Sequence, residues 1–361
     1  MRVIFGTGGT GGHLYPALAL ASYIKEQDPT SEFLFVGTPN HLEATVVPEN
    51  GYAFKAMDVS GLSGSAFNKA KALLKFVKSI KKSNKIIKEF QPDLVMGFGG
   101  YVSASIVLAA SKKNIPTMIH EQNSIVGLAN KILIKHVDGI VTCYQKAMVE
   151  LPENKTYLLG NPRATEVKEK PKVEILEQYG LDSLKPFVLI VMGSLGSSSV
   201  NNVILEALDE FKGKEYQVVF VTGKNQYEGV MKAYNKENKQ VKIIPYVEDM
   251  PSMLSKCSLV VSRAGASTLA EITSLGVPSL IIPSPYVASN HQEFNARELY
   301  EKEAAEMILE KDLSAHCLVD KIDALMSNPA RRQRMQKQAS DLGKPNASKD
   351  IYELMKKISR K

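Results

Sequence analysis

Short apolar runs alternate with longer stretches of helical periodicity along the first part of the chain. The short runs predict strands at Arg2–Phe5, Phe33–Val36, Leu94–Gly97, Thr117–Ile119 and Gly139–Thr142. Helices are predicted between them, including Pro16–Glu26 and Ser103–Ser111. Short apolar strands that alternate with helices are typical of a parallel sheet covered on both faces.

The same pattern starts again in the second part of the chain. Strands are predicted at Phe187–Met192, Gln217–Thr222, Val241–Pro245, Leu259–Ser262 and Ser279–Ile282. Helices are predicted over Val200–Phe211 and Ser267–Ser274, and charged helices at Pro329–Leu342 and Asp350–Ile358 close the chain. This restart predicts an α/β fold of two doubly wound, Rossmann-like domains that face each other across a cleft.

The length of 361 residues also favours two domains, because a single core rarely serves so long a chain. Turn residues cluster at Gly160–Arg163, which places the boundary there and gives domains at 1–162 and 163–342. Ligands of open α/β sheets bind outside the carboxyl ends of the strands. Candidate chemistry is therefore expected where the predicted strands end.

Composition narrows the class of protein. A hydrophobic fraction of 44% and a charged fraction of 23% are ordinary for a globular chain. The three cysteines, Cys143, Cys257 and Cys317, are widely spaced, so they fit neither a disulfide framework nor a zinc site and favour a reducing compartment. Neither a signal peptide nor a membrane-spanning run is predicted.

Most of the net charge of +7 lies in the first half of the chain. Residues 1–163 contain 18 Lys and Arg against 12 Asp and Glu, whereas residues 164–361 contain 27 against 26. Between Asp58 and Glu89 there is no acidic residue, and lysines alternate with apolar residues at helical spacing; the stretch includes Leu73, Leu74, Lys75, Phe76, Val77, Lys78 and Lys82. Such a basic amphipathic helix is typical of a membrane-surface element, and the alternative is a solvated helix packed on the sheet. Nucleic acid is disfavoured as a partner, because no recognised binding module is present.

A glycine-rich loop, Gly6–His13, follows the first predicted strand and opens a helix. Glycines allow close backbone approach, and a helix N-terminus presents free N–H groups, so the loop suits a phosphate or diphosphate. A dinucleotide is disfavoured because the next strand ends in Gly37 rather than an acidic residue, and no Lys-Ser/Thr pair completes a P-loop. His13, at the end of the loop, suits a general base near neutral pH, or else it caps or packs against the helix.

Further polar or glycine-rich segments follow other predicted strands. They are Gly97–Ser103, His120–Asn123, Met192–Ser199, Ser262–Glu271 and Ser289–Ala296. Glu271, which the pattern puts in the first turn of a helix, could accept hydrogen bonds from ribose hydroxyls, or it could simply favour the helix dipole. No Asp-x-Asp pair and no Cys/His cluster occurs, so we predict no metal and no cofactor, and the glycine loops would stabilise a leaving group.

Six ordered motifs make the chain resemble the MurG family of bacterial cell-wall N-acetylglucosaminyltransferases. The motifs are Gly8–His13, Gly99–Ser103, His120–Asn123, Gly160–Arg163, Arg263–Thr268 and Asn290–Ala296. The resemblance implies a GT-B fold and inverting transfer of N-acetylglucosamine from UDP-N-acetylglucosamine to the muramoyl 4-hydroxyl of lipid I, undecaprenyl-diphosphate-MurNAc-pentapeptide, which yields lipid II. It further implies a peripheral location on the cytoplasmic face of the plasma membrane, with an anionic membrane surface and other cell-wall synthesis enzymes as partners.

The resemblance also implies residue roles. The N-terminal domain would bind the acceptor and the membrane, with the C-terminal helix 343–361 packed back on it, and the C-terminal domain would bind the donor. His13 and Glu121 would be catalytic, and Gly8, Gly9, Tyr101 and His120 would contact the acceptor. Donor contacts would come from Thr10, Gly11, Gly12, Asn123, Arg163, Ser194, Val247, Ala264, Gly265, Ala266, Ser267, Thr268, Glu271 and Gln292. Leu195 departs from the family, which usually has Gln there, so the contact at that position differs.

Other classes of protein stay open at this point. A diacylglycerol or natural-product glycosyltransferase of the same fold would share the donor site but use another acceptor. A UDP-N-acetylglucosamine 2-epimerase would release free sugar, and the basic amphipathic stretch argues against it. A non-catalytic module that docks a partner at the membrane would tolerate loss of His13.

Overall fold

The computed structural model describes residues 1–59, 66–193 and 196–360, with residues 66–73 described by their backbone alone. Two compact units result. Unit 1 consists of Met1–Glu166 and Lys344–Lys361, and unit 2 of Val167–Gly343. Each unit contains its own parallel sheet.

Unit 1 is built on a seven-stranded sheet in the order β3-β2-β1-β4-β5-β6-β7. Its strands are β1 (Arg2–Gly6), β2 (Glu32–Gly37), β3 (Ala53–Ala56), β4 (Leu94–Gly97), β5 (Thr117–Glu121), β6 (Gly139–Thr142) and β7 (Thr156–Leu158). Its helices are α1 (Gly11–Gln27), α2 (Glu43–Glu49), α3 (Ala66–Phe90), α4 (Gly100–Ser111), α5 (Leu128–Leu133), α6 (Gln145–Met148) and most of α7 (Arg163–Glu169). The strand order reverses between β1 and β4, and ligands of such sheets bind at this switch point.

Unit 2 repeats the design with six strands in the order β10-β9-β8-β11-β12-β13. The strands are β8 (Phe187–Val191), β9 (Gln217–Val221), β10 (Val241–Ile244), β11 (Leu259–Ser262), β12 (Ser279–Ile281) and β13 (Glu306–Met307). The helices are α8 (Ser198–Ala207), α9 (Tyr227–Ala233), α10 (Met250–Lys256), α11 (Ala266–Leu275), α12 (His291–Tyr300), α13 (Ala315–Met326) and α14 (Pro329–Leu342). Its switch point lies between β8 and β11.

The last helix of the chain, α15 (Ala347–Ser359), packs into unit 1. Its buried residues Ile351 and Met355 share one apolar cluster with Phe5 and Leu14. Helix α15 therefore covers the face of the unit 1 sheet that α1 also covers, and the first and last segments of the chain form one core.

Several element boundaries differ from the sequence prediction. Strand β5 continues through His120 and Glu121, although the sequence pattern predicts a loop there, because these two residues pair with Val141 and Thr142 of β6. The helix predicted over Val200–Phe211 ends at Ala207 and continues only as a 3₁₀ turn. Strands β3, β7 and β13 were not predicted, because they are very short and only partly buried.

Among the described residues, no helix has both the length and the apolar character needed to cross a bilayer.

Candidate active site

The glycine loop after β1 leads directly into α1 at the switch point of unit 1. Thr10 precedes the helix in an extended conformation, with φ −148° and ψ 154°. Gly9 has φ +90°, a backbone region that side chains disfavour, so the loop needs glycine there. The His13 N–H already donates to the Thr10 carbonyl at 3.1 Å, so the N–H groups of Gly11 and Gly12 form the electropositive start of α1 that suits a phosphate.

The loop after β4 packs against the glycine loop. A Cβ atom at Gly100 would lie 2.8 Å from the Gly8 carbonyl oxygen, and one at Gly99 would lie 2.6 Å from His13 Nε2. Both glycines also have positive φ, of +119° at Gly99 and +81° at Gly100. The two glycine motifs that the sequence predicted as separate sites therefore form one surface, on which the His13 imidazole lies against the backbone of the second loop.

The orientation of His13 follows from one hydrogen bond. Its Nδ1 lies 2.7 Å from the carbonyl oxygen of Gly8, which can only accept. Nδ1 therefore carries the proton, and in the neutral ring the lone pair is on Nε2. This is the arrangement that a general base acting through Nε2 requires.

His120 is fully buried at the end of β5. Its ring stacks on Phe98, with ring centroids 5.1 Å apart, and its Nε2 donates to the Gly160 carbonyl at 3.0 Å. Burial lowers the pKa of His120 to about 4, with a smaller contribution from His13 in the same direction, and the bond to Gly160 partly opposes the shift. The ring is therefore neutral at pH 7, and the acceptor contact expected for it stays a prediction.

Glu121 holds the loop that follows β5. Its Oε1 accepts from the Asn123 backbone N–H at 3.0 Å, and its Oε2 accepts from the Gly127 N–H and the Asn130 side chain, both at 2.8 Å. The carboxylate is only 2% exposed. These contacts shape the loop that presents Asn123, while the catalytic contact expected for Glu121 stays a prediction.

The other residues predicted for unit 1 lie at element ends. Thr10, Gly11 and Gly12 open α1, and Tyr101 is the second residue of α4. Arg163 begins α7 and forms an ion pair with Glu166.

In unit 2, the loops after β11 and β12 are joined by side chains of α12. Asn295 Nδ2 donates to the Ala264 carbonyl at 3.3 Å, and Gln292 Oε1 accepts from the Ser284 N–H at 2.9 Å. Gly265 precedes the first turn of α11, which contains Ala266, Ser267 and Thr268, and Ser267 Oγ is buried without a hydrogen-bond partner among the described residues. A helix N-terminus with an unsatisfied hydroxyl is suited to bind an anion such as a phosphate.

Glu271 lies in the second turn of α11, not in the first turn as the sequence pattern had indicated, because the helix begins at Ala266. The helix dipole falls off within the first turn, and the ribose contact expected for Glu271 stays a prediction. Val247 is 1% exposed, so it is buried in unit 2, and the donor contact expected for it stays a prediction. Ser194 and Leu195 lie outside the described residues.

Two carboxylates that the sequence analysis missed contact residues of the glycine-rich segments: the partly buried Glu310 and the buried Glu43. Glu310 Oε2 lies 2.6 Å from Arg263 Nη1, and Glu310 Oε1 accepts from Ser199 Oγ at 2.7 Å. Arg263 also donates to Ser197 Oγ at 2.7 Å, so the pair connects the loops after β8 and β11. Glu43 contacts the first glycine loop, because its Oε1 accepts a hydrogen bond from the Gly9 N–H at 3.2 Å. No local signal links Glu43 to Gly9 or Glu310 to Arg263, because these partners are distant in sequence.

The surface of α3 is partly explained by packing. Phe76 packs against the core of unit 1, whereas Leu74 and Val77 are 65% and 48% exposed. Lys75 pairs with Asp58, and Lys82 donates to the Ala56 carbonyl at 2.7 Å, while Lys78 points to solvent. The side chain of Leu73 lies outside the described residues. Helix α3 therefore combines a packed face with an exposed apolar strip.

Comparisons with known proteins agree with this architecture. Residues 3–142 match the glycosyltransferase family 28 N-terminal domain, and residues 187–354 match the family's C-terminal domain. The chain is 44% identical, over the full length of both chains, to the UDP-N-acetylglucosamine–N-acetylmuramyl-(pentapeptide) pyrophosphoryl-undecaprenol N-acetylglucosamine transferase 1 of Bacillus cereus. The corresponding transferase of Pediococcus pentosaceus is also 44% identical over both full lengths.

Solved structures show the same likeness. The crystal structure of Acinetobacter baumannii MurG superposes with a TM-score of 0.79 at 25% identity, covering 99% of this chain and 100% of that one. A structure of a putative UDP-N-acetylglucosamine 2-epimerase from Listeria monocytogenes superposes with a TM-score of 0.71 over 98% of this chain and 95% of that one, at 16% identity. The second likeness reflects the fold alone.

Proposed function

This chain belongs to glycosyltransferase family 28 and is an N-acetylglucosaminyltransferase, and from that membership we propose how its residues carry out the reaction. The enzyme transfers N-acetylglucosamine from UDP-N-acetylglucosamine to undecaprenyl-pyrophosphoryl-MurNAc-pentapeptide, lipid I, and so makes lipid II for peptidoglycan. The full-length identity of 44% to transferases of that name carries this conclusion.

In the proposed mechanism, His13 is the general base. Its Nε2 removes the proton of the muramoyl 4-hydroxyl while that oxygen attacks the anomeric carbon of N-acetylglucosamine. The bond from this carbon to the UDP oxygen breaks on the opposite face, so the configuration inverts and UDP leaves with the bonding electrons. The hydrogen bond from Nδ1 to the Gly8 carbonyl supports this role, because it leaves the lone pair on Nε2.

The two units take different substrates in this proposal. Unit 1 binds the acceptor around Gly8, Gly9, Tyr101 and His120, with Glu121 holding the neighbouring loop. Unit 2 binds the nucleotide at the N-terminus of α11, where Glu271 accepts from the ribose hydroxyls. The diphosphate charge that develops on the leaving group is stabilised by N–H groups of the glycine loops and helix N-termini. The buried, unsatisfied Ser267 hydroxyl at α11 supports a phosphate contact there.

We also propose that the enzyme works at the cytoplasmic face of the membrane as a peripheral protein. Its acceptor carries an undecaprenyl chain that stays in the bilayer, so unit 1 must approach the lipid surface. The exposed Leu74 and Val77, beside the solvent-facing Lys78, provide an apolar strip with positive charge of the kind that binds anionic interfaces.

The reaction is tested by a transfer assay with radiolabelled UDP-N-acetylglucosamine and a short-chain lipid I analogue, run with and without a chelator. We expect label in the lipid product, at a rate that the chelator leaves unchanged. His13→Ala should lower kcat by roughly 10²–10⁴-fold with little change in the KM for the donor, since a general base acts only in the transition state.

The matched control is His41→Ala, which removes an exposed histidine from the same unit. It should transfer at the wild-type rate. UDP release without label in the lipid would contradict the acceptor assignment, and an undiminished kcat in His13→Ala would contradict the base assignment.

A further inference from the structure

One peptide group in the glycine loop is hydrogen-bonded at both ends. The carbonyl of Gly8 and the N–H of Gly9 belong to the same planar peptide. His13 Nδ1 lies 2.7 Å from the Gly8 oxygen, and the Gly9 nitrogen donates to Glu43 Oε1 at 3.2 Å. A carboxylate and an imidazole are therefore connected through a single peptide group.

Glu43 is buried as an ionised group. It begins α2 with no exposed side-chain surface, and its Oε1 also accepts from the backbone N–H of Thr38 at 3.0 Å and from the Thr38 hydroxyl at 2.6 Å. Burial by itself raises the pKa of the Glu43 carboxyl, but the hydrogen bonds from Thr38 and Gly9 outweigh it and hold the pKa below its ordinary value. The group therefore carries its negative charge at neutral pH.

Stability alone explains this carboxylate poorly. Its Oε2 is buried with no hydrogen-bond partner in the described part of the chain, which is an unfavourable state for a charged oxygen. The Glu43 side chain also packs directly on Gly37, where a Cβ atom would lie 2.5 Å from Glu43 Cγ, so a larger residue at position 37 would clash with it. The surroundings of Glu43 thus accommodate a buried charge that Thr38 holds in place and that also contacts the glycine loop through the Gly9 N–H.

We propose that Glu43 is a positioning residue that acts on His13 through the Gly8–Gly9 peptide. The inference rests on the proposed role of His13 as the base. A negative charge at the N–H end polarises the peptide and makes the Gly8 carbonyl a stronger acceptor. The stronger acceptor keeps the proton on Nδ1, fixes the ring plane, and stabilises the imidazolium that forms when Nε2 takes the proton of the acceptor hydroxyl.

A bracing role for Glu43 would have different consequences. If the carboxylate only held the turns at Gly9 and Thr38, its loss would lower the stability of unit 1 and loosen substrate binding. Coupling through the peptide instead predicts a change in the tautomer and the basicity of His13, with donor binding retained.

The first experiment compares Glu43→Gln with Glu49→Gln, which removes an exposed charge from the same helix. Gln keeps an oxygen acceptor but loses the charge, so we expect kcat to fall about tenfold, within the range seen when partners that orient a histidine are removed. The KM for UDP-N-acetylglucosamine should stay within about twofold, because the nucleotide is bound at the N-terminus of α11 in unit 2 and the Gln side chain in Glu43→Gln can keep the hydrogen bond to the Gly9 N–H. Glu49→Gln should match the wild type.

The pH profile of kcat gives a second readout. Removing the negative charge makes His13 less basic, so the acidic limb should move to lower pH in Glu43→Gln. His120 on β5 is also titratable and close enough to influence His13, but burial keeps its pKa at about 4, so it stays neutral over this limb. Thr38→Val retains the Glu43 carboxylate and removes the hydroxyl that donates to it, so kcat should fall less than in Glu43→Gln. This variant replaces Glu43→Gln in the experiment if Glu43→Gln does not fold.

Nitrogen NMR of selectively labelled histidine tests the coupling without turnover. The wild type should show His13 with the proton on Nδ1, and Glu43→Gln should shift the ring towards a mixture of tautomers; His13→Ala assigns the signal. In the double variant His13→Ala/Glu43→Gln, kcat should equal that of His13→Ala, since Glu43 acts only through the ring.

The outcomes separate the two claims. A wild-type kcat in His13→Ala would contradict the general-base role of His13, independently of the result for Glu43→Gln. A large loss in His13→Ala, with Glu43→Gln equal to Glu49→Gln in kcat, pH profile and tautomer, overturns the coupling and leaves the base role intact.

Discussion

Backbone carbonyls and amides contribute hydrogen bonds to each of His13, His120 and Glu121, and the Asn130 side chain adds a further one to Glu121. His13 and His120 each donate to a carbonyl oxygen, of Gly8 and Gly160, and the Glu121 carboxylate accepts two backbone N–H groups. Such contacts fix tautomer and orientation without placing a second charge beside the reacting atoms. At the scale of the residue, the fold therefore orients the His13 ring, keeps the buried His120 neutral and anchors the Glu121 carboxylate.

The burial of His120 predicts a pH-dependent stability. Its folded pKa of about 4 lies below the ordinary 6.5, so the unfolded chain takes up a proton at higher pH than the folded one does. The stabilisation is thus complete above pH 6.5 and is lost as the pH falls towards 4. We expect the loss to be on the order of 3 kcal/mol in the free energy of unfolding.

His120→Gln tests this assignment, because Gln can keep the donor to Gly160 while it does not titrate. Urea unfolding at several pH values should give a shallower decline for the variant across this window than for the wild type. Parallel curves for the two proteins would show that His120 contributes nothing to the acid sensitivity.

At the scale of the element, helix α3 has one face packed on unit 1 and another face exposed to solvent. Its inner face packs on α4 and its neighbours, and two of its lysines are bound by Asp58 and Ala56. Its outer face leaves Leu74 and Val77 exposed. Isolated exposed apolar residues are common, but two that are three positions apart on a lysine-rich helix form a strip that an interface can bury.

Vesicle binding tests that strip. Leu74→Gln/Val77→Gln should reduce binding to vesicles that contain anionic phosphatidylglycerol by roughly tenfold or more, because each buried apolar side chain contributes about 1–2 kcal/mol. Leu184→Gln is the control, since Leu184 is 92% exposed but lies in unit 2. Equal binding by all three proteins, measured by flotation, would remove α3 from the membrane contact.

At the scale of the whole molecule, the main feature is that helix α15 completes the apolar core of unit 1. Helix α15 contributes Ile351 and Met355 to the core around Phe5, although hundreds of residues separate them. Unit 1 therefore cannot complete its core until the final helix has been made, whereas unit 2 is continuous.

Ile351→Ala should accordingly destabilise unit 1 and leave unit 2 intact. We expect a loss of roughly 2–5 kcal/mol from the cavity, with faster hydrogen exchange in β1 and α1 and unchanged exchange in β8 and β11. Leu325→Ala, in the core of unit 2, should produce the reverse pattern. Faster exchange in both units for either variant would show that they unfold together.

The sequence by itself determined the α/β class, the two-fold repetition of the design and the glycine loops at strand ends. These features are local: apolar runs and glycines a few residues apart specify strand, turn and helix start without reference to the rest of the chain. The positions of β4, β6 and β11 were predicted to the residue for the same reason. The ordered motifs then sufficed to indicate the family.

Only the tertiary structure decided how these local pieces meet. Pairing with β6 extended β5 through His120 and Glu121, and packing buried the His120 ring that the sequence had placed in a polar loop. The contacts of Glu43 with Gly9 and of Glu310 with Arg263 join residues far apart in the chain. No local pattern can encode such contacts, because they depend on the order of the strands within each sheet and on which loops that order brings together.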